Sequence, residues 1–138
     1  MKTLIVLSAF LAFSCRTSTT LITPDREFIK VKLETLISQK GNYHKKDIET
    51  EGFYLQASEM SGLFYPIKYD PSDTISIYYN YSNGIWIDFS RNKKGGYVLD
   101  SIQKKVITVR GYLDTTLTGH LENYAATLTN AEIISMRK

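Results

Sequence analysis

Val106 to Ile134 reads VITVRGYLDTTLTGHLENYAATLTNAEII, and the fold is decided by how this stretch is read. Ile107, Val109, Gly111 and Leu113 fall on one parity, and Thr108, Arg110, Tyr112 and Asp114 on the other. A period of two marks a half-buried strand. Gly111, in mid-run, removes a side chain where strands cross closely or bulge. Asp114-Thr115-Thr116 and Thr118-Gly119 supply turn chemistry, with side chains that bond local backbone and a glycine free to take positive φ. The chain then resumes an extended run from Tyr124 to Ile134, whose small residues Ala125, Ala126 and Ala131 suit a tightly curved wall.

Upstream, the first half of this pattern has a partner. Ile48-x-Thr50-x-Gly52-Phe53-Tyr54 echoes Ile107-x-Val109-x-Gly111-Tyr112-Leu113, and each is preceded by a lysine pair, Lys45-Lys46 and Lys104-Lys105. Ile48, Thr50, Gly52 and Tyr54 share one face; Glu49, Glu51 and Phe53 share the other. The echo is too short for a solenoid repeat and reads as two equivalent long strands, each bent at its glycine.

Between them lie shorter signals. Leu63-Phe64-Tyr65 is an apolar run ended by Pro66, Asp70-Pro71-Ser72-Asp73 is a turn, and Thr74 to Tyr79 is β-prone. Ser82-Asn83-Gly84 is a hairpin or loop signal. It leads into a strand from Gly84 to Phe89, with Ile85, Ile87 and Phe89 opposite Trp86 and Asp88. Asn92 to Gly96 is a basic, glycine-rich loop, and Tyr97 to Gln103 a short turn or helix. Ahead of the first long strand, Phe28 to Lys32 reads as a short strand. Leu33, Leu36 and Ile37 then form one face of a short helix that Gly41 is expected to stop.

The chain opens on a targeting segment. Lys2 precedes a ten-residue apolar run, Leu4 to Phe13, that only Ser8 interrupts. It is too short for a permanent span and right for a signal peptide core. Ser14 then precedes Cys15, the only cysteine. A small residue before a lone cysteine at that place resembles a bacterial lipoprotein signal, although Leu11 lies one position further from Cys15 than is usual. The alternative is an ordinary secretory signal that leaves a free thiol. The expected organisation is a lipoprotein signal peptide over 1–14, a Ser/Thr-rich tether over 15–26 and one domain over 27–138. The last is long enough for one core.

Lys and Arg number 17 against 14 Asp and Glu, a net charge of +3. The strong basic field of a nucleic-acid binder is missing. One cysteine allows neither an internal disulfide nor a cysteine-based zinc site.

Leu33-Glu34-Thr35-Leu36-Ile37, Tyr43, the two glycine-bearing strands, Gly84-Ile85-Trp86-Ile87-Asp88, and Thr118-Gly119-His120-Leu121 with Tyr124 together resemble a group of uncharacterised bacterial lipoproteins of the OB-fold, tRNA-anticodon-binding-like type. The resemblance covers most of 29–134 and is poor over 66–83. It implies a fold class: all-β with minor helix, a single five-stranded OB-like β-barrel behind a signal peptide. It brings no activity and no catalytic residue. In such a barrel Gly52 and Gly111 should lie mid-strand against neighbouring backbone, and Ile48, Trp86, Ile107, Val109 and Leu128 should be largely buried.

Motifs for chemistry are sparse. There is no P-loop, nucleophile elbow or metal-ligand spacing, and no cofactor is implied. His44 and His120 are the only histidines. His120 is a candidate ligand contact or general base, more commonly a residue that pins its loop; His44 is expected to be solvated. Asp88 and Asp114 read as strand-edge and turn residues. The aromatic middle third carries the binding hypothesis. Tyr78, Tyr79, Tyr81 and Trp86, with Arg91, Lys93 and Lys94 of the basic loop and His120, are the candidate ligand-binding residues, because OB-folds bind through aromatics on their middle strands. Core packing and β-propensity explain such a cluster equally well.

The expected protein is therefore non-enzymatic. It is a binding module of the cell envelope, on the periplasmic side or at the outer membrane, held to the membrane by lipid on Cys15 and taking a protein or carbohydrate through the aromatic strands. The alternatives are a single-stranded nucleic-acid-binding OB domain, against which near-neutral charge and export both speak, and a small hydrolase with His120 as base.

Overall fold

The computed structural model describes residues 26–57, 60–65, 81–89 and 99–137. Among them strand accounts for 51% and helical residues for 23%, so the chain is mostly β. The elements are β1 (Ile29–Lys30), α1 (Leu33–Ser38), α2 (Lys40–Tyr43), β2 (Asp47–Ala57), β3 (Met60–Phe64), β4 (Gly84–Phe89), α3 (Leu99–Ile102), β5 (Lys105–Asp114) and β6 (Thr127–Met136), with single 3-10 turns at Tyr81–Asn83 and His120–Glu122. The leader and Cys15, the turn at Asp70–Asp73, the β-prone run Thr74–Tyr79 and the loop Asn92–Gly96 lie outside the described residues.

The two echoing strands are direct partners. β2 and β5 pair antiparallel, with Thr50 opposite Val109. Each glycine faces the other motif's isoleucine, Gly52 opposite Ile107 and Gly111 opposite Ile48. The repeated pattern thus gives a local two-fold relation about the Thr50–Val109 pair. The glycines are needed for closeness. A Cβ on Gly52 would lie 2.6 Å from Leu63 Cγ and 2.7 Å from Leu33 Cδ2, and one on Gly111 would lie 2.8 Å from the Thr129 carbonyl oxygen.

Pairing runs on in both directions. β3 joins β2 and β4 joins β3, both antiparallel. β6 lies antiparallel to β5 and parallel to β4, with Trp86 opposite Thr127. The hydrogen bonds therefore follow a ring, β2-β3-β4-β6-β5 and back to β2. The sheet has six strands rather than the expected five, because β1 adds to β2 in parallel outside the ring. The length of β2 permits this: β1 takes its first residues and β3 its last.

Strand alternation separates two apolar clusters. Ile48, Tyr54, Leu63, Ile85, Ile87, Ile107, Val109, Leu113 and Leu128 share the main core with Leu33 and Leu36 of α1 and Ile102 of α3. The opposite parity, Phe53, Leu55, Met60 and Phe64, forms a second cluster with Tyr124, against which Tyr81, Trp86 and Val106 pack. Trp86, expected from sequence to be largely buried, is only half-buried and packs against this second cluster. Its parity opposite Ile85 and Ile87 is what sends it there.

Two local expectations also change. Gly41 lies inside α2; the helical segment breaks instead at Gln39, whose φ of −121° leaves the helical region. The first strand is two residues long, not five. α3 falls within the span expected for it. It is tied to β2 by Gln103, whose amide both donates to the Gln56 carbonyl (2.7 Å) and accepts from the Gln56 N–H (2.6 Å).

Candidate functional site

The connection from β5 to β6 folds over the second cluster, and its local chemistry sets its shape. Asp114 Oδ1 accepts from the Thr116 N–H (2.8 Å) and hydroxyl (2.6 Å), a side-chain-closed turn. These bonds hold the Asp114 carboxyl below the usual carboxylate range. Next, Gly119 adopts φ +68° with its backbone against the indole of Trp86; an added Cβ would meet Trp86 Cβ, Cδ2 and Cε3 at 2.8 to 2.9 Å. Leu121 (φ 56°) and Glu122 (φ 57°) are left-handed without being glycine. That backbone costs an L-residue roughly 1–2 kcal/mol. The Tyr124 N–H donates to the Thr118 carbonyl (3.0 Å), closing the loop, and the Ala125 N–H donates to the Gly84 carbonyl (3.0 Å).

Both ends of the loop are fastened by the segment around α2. His44 Nδ1 accepts from the Thr115 N–H (3.2 Å) and lies 2.8 Å from the Thr115 hydroxyl. Lys40 Nζ donates to the Ala125 carbonyl (2.9 Å). His44 is thus half-buried and pins the loop, contrary to the solvated role expected of it.

Tyr124 is the keystone of the aromatic face. It is 3% exposed, with its ring centroid 5.3 Å from Tyr81, 5.3 Å from Trp86 and 5.9 Å from Phe64. Its hydroxyl is buried and has no hydrogen-bond partner. Burial, and then the neighbouring phenols of Tyr81 and Tyr54, push its pKa well above the ordinary tyrosine value. Among the described residues, two pockets lie beside the loop. One, of about 340 Å³, is lined by Trp86 and Asp88 of β4, Thr127 and Thr129 of β6, and Thr116 to Gly119 and Glu122 of the loop. The other, of about 150 Å³, is lined by Ala57, Met60, Tyr81, His120, Leu121, Asn123 and Tyr124. Leu117 and Leu121 stand out to solvent on the same loop, 50% and 71% exposed. A larger groove of about 980 Å³ lies apart, between Lys30–Glu34 and Glu49–Glu51.

Of the residues singled out from sequence, Tyr81 and His120 share the smaller pocket and Trp86 lines the larger. Tyr81 and Trp86 are half-buried rather than laid open. Tyr78, Tyr79, Arg91, Lys93, Lys94 and Cys15 lie outside the described residues. His120 and Glu122 line different pockets, and Asp114 lines neither. Sequence reasoning missed Tyr124 and His44 as site-builders. For Tyr124 a signal was present, since it stands directly before the small pair Ala125-Ala126 at the start of an extended run. His44 gave none, because its partner is 71 residues away. Among the described residues no three His, Cys, Asp or Glu side chains gather as a metal site, and no helix is long and apolar enough to cross a membrane. Comparison with family models, curated proteins and solved structures finds no match for this chain.

Proposed function

We propose that this chain is a non-enzymatic binding module of the cell envelope, an OB-like barrel anchored by lipid on Cys15, which takes a protein or carbohydrate through its aromatic face. The barrel reading is supported by the ring of five strands with one parallel contact, β4 to β6, and by a helix between β4 and β5. That order supports the OB-like reading; an OB-fold binds its ligands on the middle strands beside the first hairpin and the last loop. Trp86 on β4, Met60 at the first hairpin and the loop 115–126 occupy those places.

The observation that carries the function is the loop itself. Two non-glycine residues are held left-handed over half-buried aromatics, with two pockets between. Strain of this kind persists only where surrounding contacts over-determine it, and it gathers at binding sites. The hydrolase alternative gains no geometric support, since no carboxylate shares the pocket with His120 among the described residues.

Full-length lipidated chain as bait in detergent-solubilised envelope is expected to capture a specific ligand, and Leu121→Asp to release it. Equal capture by both forms would remove the loop from the site. The nucleic-acid alternative is separated by filter binding to single-stranded oligonucleotides. Tight binding that falls steeply with salt would replace the present reading.

A further inference from the structure

We propose that the pocket between Trp86 and the loop accepts a cationic group, the guanidinium or ammonium of a basic side chain, so that the ligand is a protein or peptide rather than a glycan. The proposal rests on the binding-module reading and narrows it.

The pocket's hydrogen-bonding inventory is lopsided. Trp86 and Asp88 alternate on β4 and so face the same side; Thr127 and Thr129 do the same on β6, beside them. Two of the hydroxyls are engaged: Thr116 donates to Asp114 (2.6 Å) and Thr129 to the Tyr112 carbonyl (3.1 Å). The rest are unspent. The carboxylates of Asp88 and Glu122 make no ion pair or side-chain hydrogen bond among the described residues. Thr127, 4% exposed, has a buried hydroxyl without a partner. Elsewhere on the sheet carboxylates are matched: Asp47 with Arg26, Glu49 with Lys30, Glu132 with Arg110, and Glu51 with Arg137.

Ionised carboxylates only accept. The complement of two such groups and a buried hydroxyl is a group made of donors that also carries positive charge. Arginine and lysine are such groups, and arginine's planar fork suits carboxylates best. A neutral sugar brings acceptors in equal number and leaves both charges uncompensated. A volume of about 340 Å³ admits a guanidinium with its stem.

Trp86 is the only tryptophan in the chain, so its fluorescence reports this pocket directly. Full-length chain in detergent is titrated with N-acetyl-arginine amide, its neutral isostere N-acetyl-citrulline amide, glucose and N-acetylglucosamine. The arginine derivative is expected to give a saturable change that the citrulline derivative and the sugars do not. Asp88→Asn and Glu122→Gln should each weaken it about two- to fivefold, and added salt should weaken it further. Both side chains are exposed, and circular dichroism verifies that the variants fold. A sugar response that survives Asp88→Asn, or equal response to arginine and citrulline, overturns the cation proposal and leaves the binding module standing. Silence toward all four probes in a chain that still captures its envelope ligand overturns it as well. Silence together with failed capture sinks both readings.

Discussion

At the scale of single residues, Tyr124 joins structure to site at an energetic cost. Its ring holds the aromatic face together, while its hydroxyl is buried without a partner. A buried unsatisfied hydroxyl costs roughly 1–3 kcal/mol, so Tyr124→Phe should stabilise the fold by about 1 kcal/mol, read as a raised midpoint in thermal melting. The same residue sets the alkaline limit. Burial raises the phenols of both Tyr54 and Tyr124 above the ordinary value of 10.0. The folded protein keeps them neutral at a pH where the unfolded chain has already released its protons. Their contribution is therefore full below pH 10 and is lost as pH rises from there through the raised folded-state values. Tyr124→Phe should make that alkaline decline shallower; an unchanged slope in a pH series of denaturant midpoints would assign it to other groups. His44 has the opposite effect on stability, since its Nδ1 serves the Thr115 N–H. His44→Ala should cost about 1 kcal/mol and speed amide exchange at Thr115 by more than the roughly fivefold that such a loss of global stability gives core amides such as Val109.

At the scale of elements, the glycine-bearing strands were legible in the sequence because period-two alternation and glycine position are local properties. Burial follows the predicted parity along β2 and β5 at Ile48, Thr50, Gly52, Tyr54, Ile107, Val109, Gly111 and Leu113. That these two strands pair with each other was not legible, since pairing depends on where the chain returns. The same limit applies to the site. Trp86 and Tyr81 were visible as aromatics, but which face takes Trp86 is settled by its strand neighbours, and the loop's fastening by Lys40 and His44 joins residues far apart in the chain. The helix boundary failed for a different reason. Gly41 is a propensity signal, and a four-residue helix packed beside α1 overrides it. The strand glycines are firmer. Gly111→Ala would press a Cβ against the Thr129 carbonyl oxygen at 2.8 Å, a backbone atom that cannot move without breaking the β5–β6 ladder. A loss of about 1–3 kcal/mol is expected, measurable as a lower denaturant midpoint. A neutral result would mean that β6 yields at its register shift opposite the Arg110–Tyr112 step of β5.

At the scale of the whole molecule, the ring of strands and the proposed anchor make independent demands on the chain. Among the described residues, the main core lies between Leu33 and Ile133. The strand ring is expected to fold whether or not the leader is processed, so fold and anchoring can be tested apart. The anchoring argument rests on Lys2, the apolar run Leu4 to Phe13, and Ser14 before the only cysteine. A single acyl chain binds membranes only marginally, whereas the two or three of a lipoprotein hold stably. If lipid is attached at Cys15, the stretch from Arg16 to Thr23 would hold the strand ring roughly 15 Å from the bilayer when it behaves as a flexible coil. Cys15→Ala is expected to block both lipidation and cleavage, leaving an unprocessed precursor of higher mass that fails to reach its membrane. Its tryptophan emission is expected to match wild type, since Trp86 lies on β4 of the strand ring. If the variant is instead cleaved normally and released in soluble form, the segment is a plain secretory signal, and the loop over Trp86 would meet its ligand in solution rather than at the membrane surface.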